Sequence, residues 1–417
     1  MAAESIVDRF LRYVKIDTTS DEESASAPST QKQFDLAKLL VEELKGLGLE
    51  DVSLSEHCVV MATLPSNLPA EKDAETPVIG FLAHVDTSPA VSGAGVKPQI
   101  ITYEGGDVTL PGDPSIVIRA DECKELAHYK GKKIITTDGT TLLGADDKAG
   151  VAAIMHGLQT MVEDPSIPHG KLRIAFTPDE EIGRGTENFD IEAFGAALAY
   201  TIDGGEEGEV ENETFCADMA TVTVKGANQH PGYAKDIMVN SVRIAADFIA
   251  RLPRHRAPET TEEREYYLHP DVVSGNVEET SIKVLVRAFT VDELKVLEAA
   301  LEEIRLEVLH LHPKAQIEVK IVEQYRNMRY KLDEVPRAVD HAIEAVKRAG
   351  VKPLLKLIRG GTDGARLTEL GLPTPNLFAG GINFHSKKEW IAIDALEAAS
   401  RTMIELTKLW VEDPKLK

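Results

Sequence analysis

The chain has 417 residues, 43% apolar and 28% charged, which suits a globular protein of two or three domains. Its net charge of -23, from 69 acidic and 46 basic residues, argues against nucleic acid and anionic membrane as partners, because no basic stripe is present to neutralise phosphate. No apolar run approaches the roughly 20 residues of a membrane span, the N-terminus lacks signal-peptide features, and Cys58, Cys123 and Cys216 make no disulfide framework, so a reducing cytoplasm is expected.

An amphipathic helix is predicted over Ile6–Ile16, with Ile6, Phe10, Leu11 and Val14 on one face. A polar loop follows, and then Thr30 with Gln33 fits a capping box that opens a second helix, ended by Gly46 and Gly48. Strands are predicted at Val59–Leu64 and Val78–Ala83. The stretch Pro89–Thr137, rich in Gly, Pro and Asp, reads as an elaborate loop with small strands, and its length marks a functional surface. An apolar helix begins near Gly150. Strands Leu172–Phe176 and Ala199–Ile202 bracket another helical stretch. This alternation predicts an open sheet with helices on both faces, in which ligands gather at the C-terminal ends of the strands.

After about Glu213 the character changes to a compact α+β module. It has strands at Ala220–Lys225, Ile282–Arg287 and Gln316–Val322, helices at Asn240–Arg251 and Thr290–Leu309, and a charged loop at Pro253–Pro270. From Tyr325 the alternation returns, with helices at Pro336–Arg348 and Ile393–Val411 and strands at Leu354–Ile358 and Thr374–Phe378. The predicted fold class is therefore α/β. A discontinuous catalytic domain, residues 1–214 and 325–417, carries a mixed sheet flanked by helices, and an α+β domain, 215–324, is inserted in it.

The residues able to do chemistry collect at the predicted strand ends. Glu180 and Glu181 follow the strand ending at Phe176, and buried adjacent carboxylates need pairing, a metal or a shifted pKa. A solvated turn would explain such a pair on its own, but His84 and Asp203 end other strands in the same way. In His84-Val85-Asp86, positions i and i+2 share a side, so Asp86 can hold the second nitrogen of the imidazole as in a zinc histidine. Asp146 falls at a strand-to-helix turn, its neighbour Asp147 suits a helix N-terminus, and His385 lies in the Gly-rich loop Gly380–Ser386. Together His84, Asp146, Glu181, Asp203 and His385 offer nitrogen and oxygen donors suited to zinc, with cobalt or manganese as alternatives. They are too many for one catalytic zinc and suit a pair sharing a bridging carboxylate. Glu180, beside a ligand, would take a proton from the attacking water and pass it to the leaving amine.

The segments His84-Val-Asp86-Thr-Ser-Pro89, Leu142-Leu-Gly-Ala-Asp-Asp-Lys-Ala-Gly150, Pro178-Asp-Glu-Glu-Ile-Gly183 and Thr201-Ile-Asp-Gly-Gly205 resemble the co-catalytic zinc peptidases that include carboxypeptidase G2 and aminoacylase. Asn228–Gly232, Ala257–Thr261, Tyr325–Met328, Ile358–Gly364 and Pro375–Phe378 extend the likeness along nearly the whole chain, toward the tripeptide aminopeptidases of that family. The resemblance implies release of the N-terminal residue from tripeptides with two Zn2+ per subunit. It implies that Asp146 bridges the ions, that His84 and Asp203 complete one site and Glu181 and His385 the other, and that Glu180 is the general base, with Asp86 in the catalytic machinery. It also implies that His230 stabilises the tetrahedral oxyanion, in many relatives from the partner subunit, and that Arg287, Asn327 and Arg359 bind the substrate backbone or its C-terminal carboxylate. The insert would be a ferredoxin-like lid or dimerisation domain, and homodimerisation through it is left open. A carboxypeptidase, a dipeptidase or an N-acyl amino acid deacylase would use the same metal centre. A non-catalytic peptide- or metal-binding module on this scaffold predicts loss of the base or of ligands, and all of them are present.

Overall fold

The structure, a computed structural model, describes residues 4–416 and divides the chain into two compact units. The first comprises Met1–Asn212, Met328–Lys356 and Thr362–Lys417, and the second Glu213–Asn327 with Leu357–Gly361.

The first unit is built on an eight-stranded mixed sheet. In chain order its strands are β1 (Glu50–Leu54), β2 (Val60–Leu64), β3 (Ile79–His84), β4 (Leu172–Thr177), β5 (Leu198–Gly204), β6 (Glu209–Thr214), β7 (Leu354–Ile358) and β8 (Asn376–Phe378). Their spatial order is β1-β2-β4-β3-β5-β8-β6-β7. At its centre β4, β3, β5 and β8 run parallel, with His84 beside Thr177 and Leu82 beside Thr201, so β3, β4 and β5 end on one edge. Both faces are covered, which is why these strands read as unbroken apolar runs. The pleat sends Phe81, Ile174, Phe176 and Tyr200 into the larger core and Leu82, Ala175 and Ala199 into a smaller one with Phe189, Phe194 and Leu367.

The helix Ala145–Glu163 lies on the larger-core face, packed on β3, β5 and the closing helix Ile393–Glu412. Gly150 allows that approach, since a Cβ there would collide with the Ile202 carbonyl oxygen and the Asp147 carboxylate. The long loop Pro89–Thr137 folds much as its sequence suggests. Gln99–Thr102 and Lys133–Thr136 join Trp390–Ala392 and Gly381–Ile382 in a small antiparallel sheet, over a core of Leu110, Ile118, Leu126, Tyr129 and Trp390.

The second unit runs strand, helix, strand, strand, helix, strand, the connectivity of a ferredoxin-like module. Its strands Tyr267–Gly275, Glu279–Ala288, Cys216–Lys225 and Gln316–Tyr325 lie in that order, all antiparallel. Val222, Val224, Ile282 and Val284 alternate inward against Ile244 and Phe248 of the helix Ser241–Arg251 and Leu294, Leu297 and Leu301 of the helix Val291–Leu311. The latter opens with a Thr290–Glu293 capping box.

Several local expectations are corrected. The first helix ends at Tyr13, not Ile16, because the chain turns to offer the Ile16 carbonyl to Lys148 Nζ at 2.6 Å. Thr30 and Gln33 form no capping box; Gln33 Nε2 donates instead to Asp179 Oδ1 at 2.6 Å. Strands β1 and β6 and the strand Tyr267–Gly275 go unrecognised in the sequence. Acidic β6 is held by Lys356 on Glu209 and by Asn376 on Glu211. Tyr267–Gly275 contains Pro270 at a register irregularity on a sheet edge, where proline is tolerated. Among the described residues all three cysteines are free and buried, and no helix is long and apolar enough to cross a membrane.

Candidate metal centre and active site

Convergent strand ends build the site. His84 is the last residue of β3, Asp203 lies near the end of β5, and β4 runs into the turn that carries Glu180 and Glu181. Asp146 enters from the start of the helix Ala145–Glu163, where it and Asp147 depart from helical φ/ψ. His385, with φ of 56°, comes from the loop between Gly381–Ile382 and Trp390–Ala392.

All five sequence-predicted ligands meet here. Asp146 Oδ1 lies 2.9 Å from His84 Nε2, and its Oδ2 lies 3.1 Å from His385 Nε2. His84 Nε2 is also 3.4 Å from Asp203 Oδ1, and His385 Nε2 is 2.7 Å from Glu181 Oε2. Asp146 thus faces one histidine with each oxygen, and each histidine has a further carboxylate of its own.

The surrounding hydrogen bonds hold these groups in place. His84 Nδ1 lies 3.1 Å from the Asp86 carbonyl oxygen and 3.3 Å from Asp86 Oδ1, so Asp86 holds the ring with Nε2 turned toward Asp146. Asp86 also accepts from the backbone N–H groups of Glu180 (3.0 Å) and Glu181 (3.3 Å), so one carboxylate orients the histidine and both glutamates. Asp179 begins the glutamate turn at φ of 55°, a left-handed conformation that aspartate tolerates, and its carboxylate is held by the Ser29 N–H at 2.6 Å and by Gln33.

Three buried acids were not picked out for the site from sequence. Asp147, read as a helix-start residue, does accept from the Gly150 N–H at 3.0 Å, but it also accepts from the His84 N–H at 3.3 Å. Asp363 accepts from the Thr177 hydroxyl at 2.7 Å. Glu389 binds the backbone around Asp146. Asp147 and Asp363 lie in the family-like segments Leu142–Gly150 and Ile358–Gly364, but their contacts with His84 and Thr177, and that of Glu389 with Asp146, join segments distant in sequence and leave no local mark.

The electrostatics describe a site short of positive charge. Burial lifts the carboxyls of Glu181 and Asp363 to about 7 and that of Asp203 to about 6. Burial also raises Glu180 well above the ordinary carboxylate range, with Asp203, Asp363 and Glu181 adding repulsion against the pull of His84. Burial would raise Asp146 too, but its hydrogen bonds to His385 and His84 outweigh this and hold it below the usual range. His385 is pushed up to about 10 by its contacts with Asp146 and Glu181. Glu181 Oε1 is buried without a hydrogen-bond partner among the described residues. That orphaned oxygen and a donor set of imidazoles and carboxylates fit divalent cations of the zinc class.

The remaining predicted site residues belong to the second unit and are described within it. His230 is exposed, and its Nδ1 accepts from the Gly232 N–H at 3.2 Å, leaving Nε2 as the donor. Arg287 Nη1 donates to the carbonyls of Asp218 (2.9 Å) and Val286 (3.1 Å), with its guanidinium 5.9 Å from the Tyr325 ring centroid. Asn327 is buried, accepts from the Thr214 N–H at 3.1 Å and donates to the Phe289 carbonyl at 2.9 Å. Arg359 donates to the carbonyls of Glu263 (2.8 Å) and Glu265 (2.9 Å) and to the Thr261 hydroxyl, between the rings of Phe215 and Tyr267.

Comparison with known proteins identifies the family and the fold. The family model of Peptidase family M20/M25/M40 matches residues 128–408. Peptidase T of Geobacillus kaustophilus (strain HTA426) is 48% identical over 408 residues, covering 98% of each chain. The fold matches that of aminopeptidase PepT from Bacillus cereus ATCC 10987, with a TM-score of 0.75 at 23% identity over 98% of each chain. It also matches the YXEP protein of Bacillus subtilis, a dinuclear metal-binding peptidase of the M20 family, with a TM-score of 0.64 at 16% identity and 98% coverage of each chain. The chain belongs to peptidase family M20/M25/M40.

Proposed function

We propose that the protein is a cytoplasmic metallo-aminopeptidase that releases the N-terminal residue of tripeptides, using two zinc ions. The observation that carries this reading is Asp146, whose two carboxylate oxygens face different histidines, each with its own further carboxylate. His84, Asp146 and Asp203 would hold one ion, and Glu181, His385 and the same Asp146 the other. Bound there, divalent ions supply Lewis acidity toward the scissile carbonyl and acidify a water. Glu180, pinned through its backbone by Asp86, would take a proton from the attacking water and deliver it to the departing amine. Burial raises the pKa of this carboxyl, which makes it a stronger proton acceptor than an exposed glutamate. His230, with Nε2 left as the donor, is proposed to stabilise the oxyanion, a contact worth about 3 kcal/mol in such reactions. Arg287, Asn327 and Arg359 are proposed as substrate contacts, with the planar guanidinium fork suited to a terminal carboxylate.

The near full-length similarity to peptidase T favours tripeptides over the other substrates this centre could serve. The test is a panel of di-, tri- and tetrapeptides with an N-acylated amino acid, assayed with zinc. We expect free N-terminal residues to appear from tripeptides with the highest kcat/KM. Turnover of the acylated compound alone would overturn this specificity.

A further inference from the structure

Glu389 has no part in the mechanism above, yet it is one of the least exposed acids in the chain, at 1%. Burying a carboxylate is costly unless hydrogen bonds replace its water. Here three backbone amides do so. Glu389 Oε2 accepts from the N–H groups of Leu143 at 2.7 Å and Gly144 at 2.8 Å, and Oε1 accepts from that of Asp146 at 3.1 Å. All three donors lie on the loop that delivers Asp146. Glu389 itself leads into the strand Trp390–Ala392, which pairs with Gly381–Ile382 on the other side of the His385 loop. One carboxylate therefore ties the segment carrying Asp146 to the segment carrying His385, across more than two hundred residues of sequence.

We propose that Glu389 is a positioning residue of the metal centre, setting the Asp146 carboxylate between His84 and His385. This rests on the reading of Asp146 and His385 as metal ligands. The role demands an anion with two accepting oxygens. Glutamine has the same shape, but its amide would point N–H groups at one or two backbone donors, and the loop would have to move. Aspartate keeps the charge but is one methylene too short to reach all three amides.

The test compares wild type with Glu389→Gln, Glu389→Asp and Trp410→Phe. The last removes a buried hydrogen bond between the closing helix and Tyr200 of β5, outside the Glu389 contacts, and serves as a control for lost stability. Zinc affinity is measured by chelator competition, tripeptide kcat and KM are measured at limiting and excess zinc, and folding is followed by circular dichroism and thermal melting. For Glu389→Gln we expect affinity for the more weakly held zinc to fall by about tenfold or more, as for other groups that orient metal ligands. We also expect kcat at limiting zinc to fall in step, KM to change little, and excess zinc to restore most of the rate. Glu389→Asp should fall between Glu389→Gln and wild type, and it carries the comparison if the glutamine variant does not fold. Zinc affinity like that of wild type in the folded variants would overturn the proposal, as would a loss no larger than that of Trp410→Phe at equal melting temperature. A wild-type protein that binds no zinc would instead overturn the reading of the ligands themselves.

Discussion

Glu180 and Glu181 are adjacent in sequence, but their carboxylates have different surroundings. Glu181 meets His385 at 2.7 Å and keeps a buried, unpartnered oxygen, while Glu180 is held through its backbone by Asp86. Glu180→Gln should therefore lower kcat on a tripeptide by at least about a hundredfold, because a general base is lost, with zinc content unchanged because the ligands remain. Kinetics with metal analysis on the same samples checks this, and activity near that of wild type would remove Glu180 from the mechanism. At this scale the gathering of His84, Asp146, Glu181, Asp203 and His385 was legible in the sequence because their residue types and their places at strand ends, a helix start and a Gly-rich loop are local features. The dual role of Asp86 was half legible. The i, i+2 spacing from His84 announces one contact, whereas its hold on the amides of Glu180 and Glu181 spans about ninety residues and leaves no local trace.

At the scale of elements, the helix Ala145–Glu163 is seated against β5 by the absence of a side chain at Gly150. The obstacles a Cβ would meet are a main-chain carbonyl and the carboxylate of Asp147, neither of which can step aside cheaply. Gly150→Ala should cost about 3 kcal/mol or more, at the upper end of overpacking effects, despite the better helix propensity of alanine. Urea unfolding measures this, and a midpoint equal to that of wild type would show that the helix can shift without penalty. Elements with strong apolar periodicity, such as β3, β4 and the closing helix, were read correctly in kind and place. The strands β6 and Tyr267–Gly275 were not, because acidic residues and a proline contradict strand propensity there, and cross-strand partners supply what propensity lacks.

At the scale of the whole molecule, an acidic chain has buried carboxyls whose charge is poorly compensated. Glu211, in β6, has its pKa raised from 4.5 to about 8, first by burial and then by Glu209. A group that binds its proton more tightly when folded contributes stability that is complete below its unfolded pKa and is lost as pH rises through the folded one. Its contribution should therefore decline between pH 4.5 and about 8. Glu211→Gln, which keeps an acceptor for Asn376, should flatten the fall of melting temperature over that range. Parallel slopes for the two proteins would show that Glu211 does not titrate there.

The sequence by itself determined that strands alternate with helices around an inserted α+β module, and that metal-ligand residue types stand where strands end. Both follow from short-range periodicity, which sets where each strand stops and hence what projects beyond it. Only the tertiary structure decided that Asp146 faces both histidines, that Asp147, Asp363 and Glu389 are buried around the site, and that Asn327 and Arg359 spend hydrogen bonds within their own unit. The physical reason is that such contacts are selected by burial. A carboxylate or guanidinium taken from water binds whichever donors or acceptors the folded chain brings to it, and those lie far away in sequence.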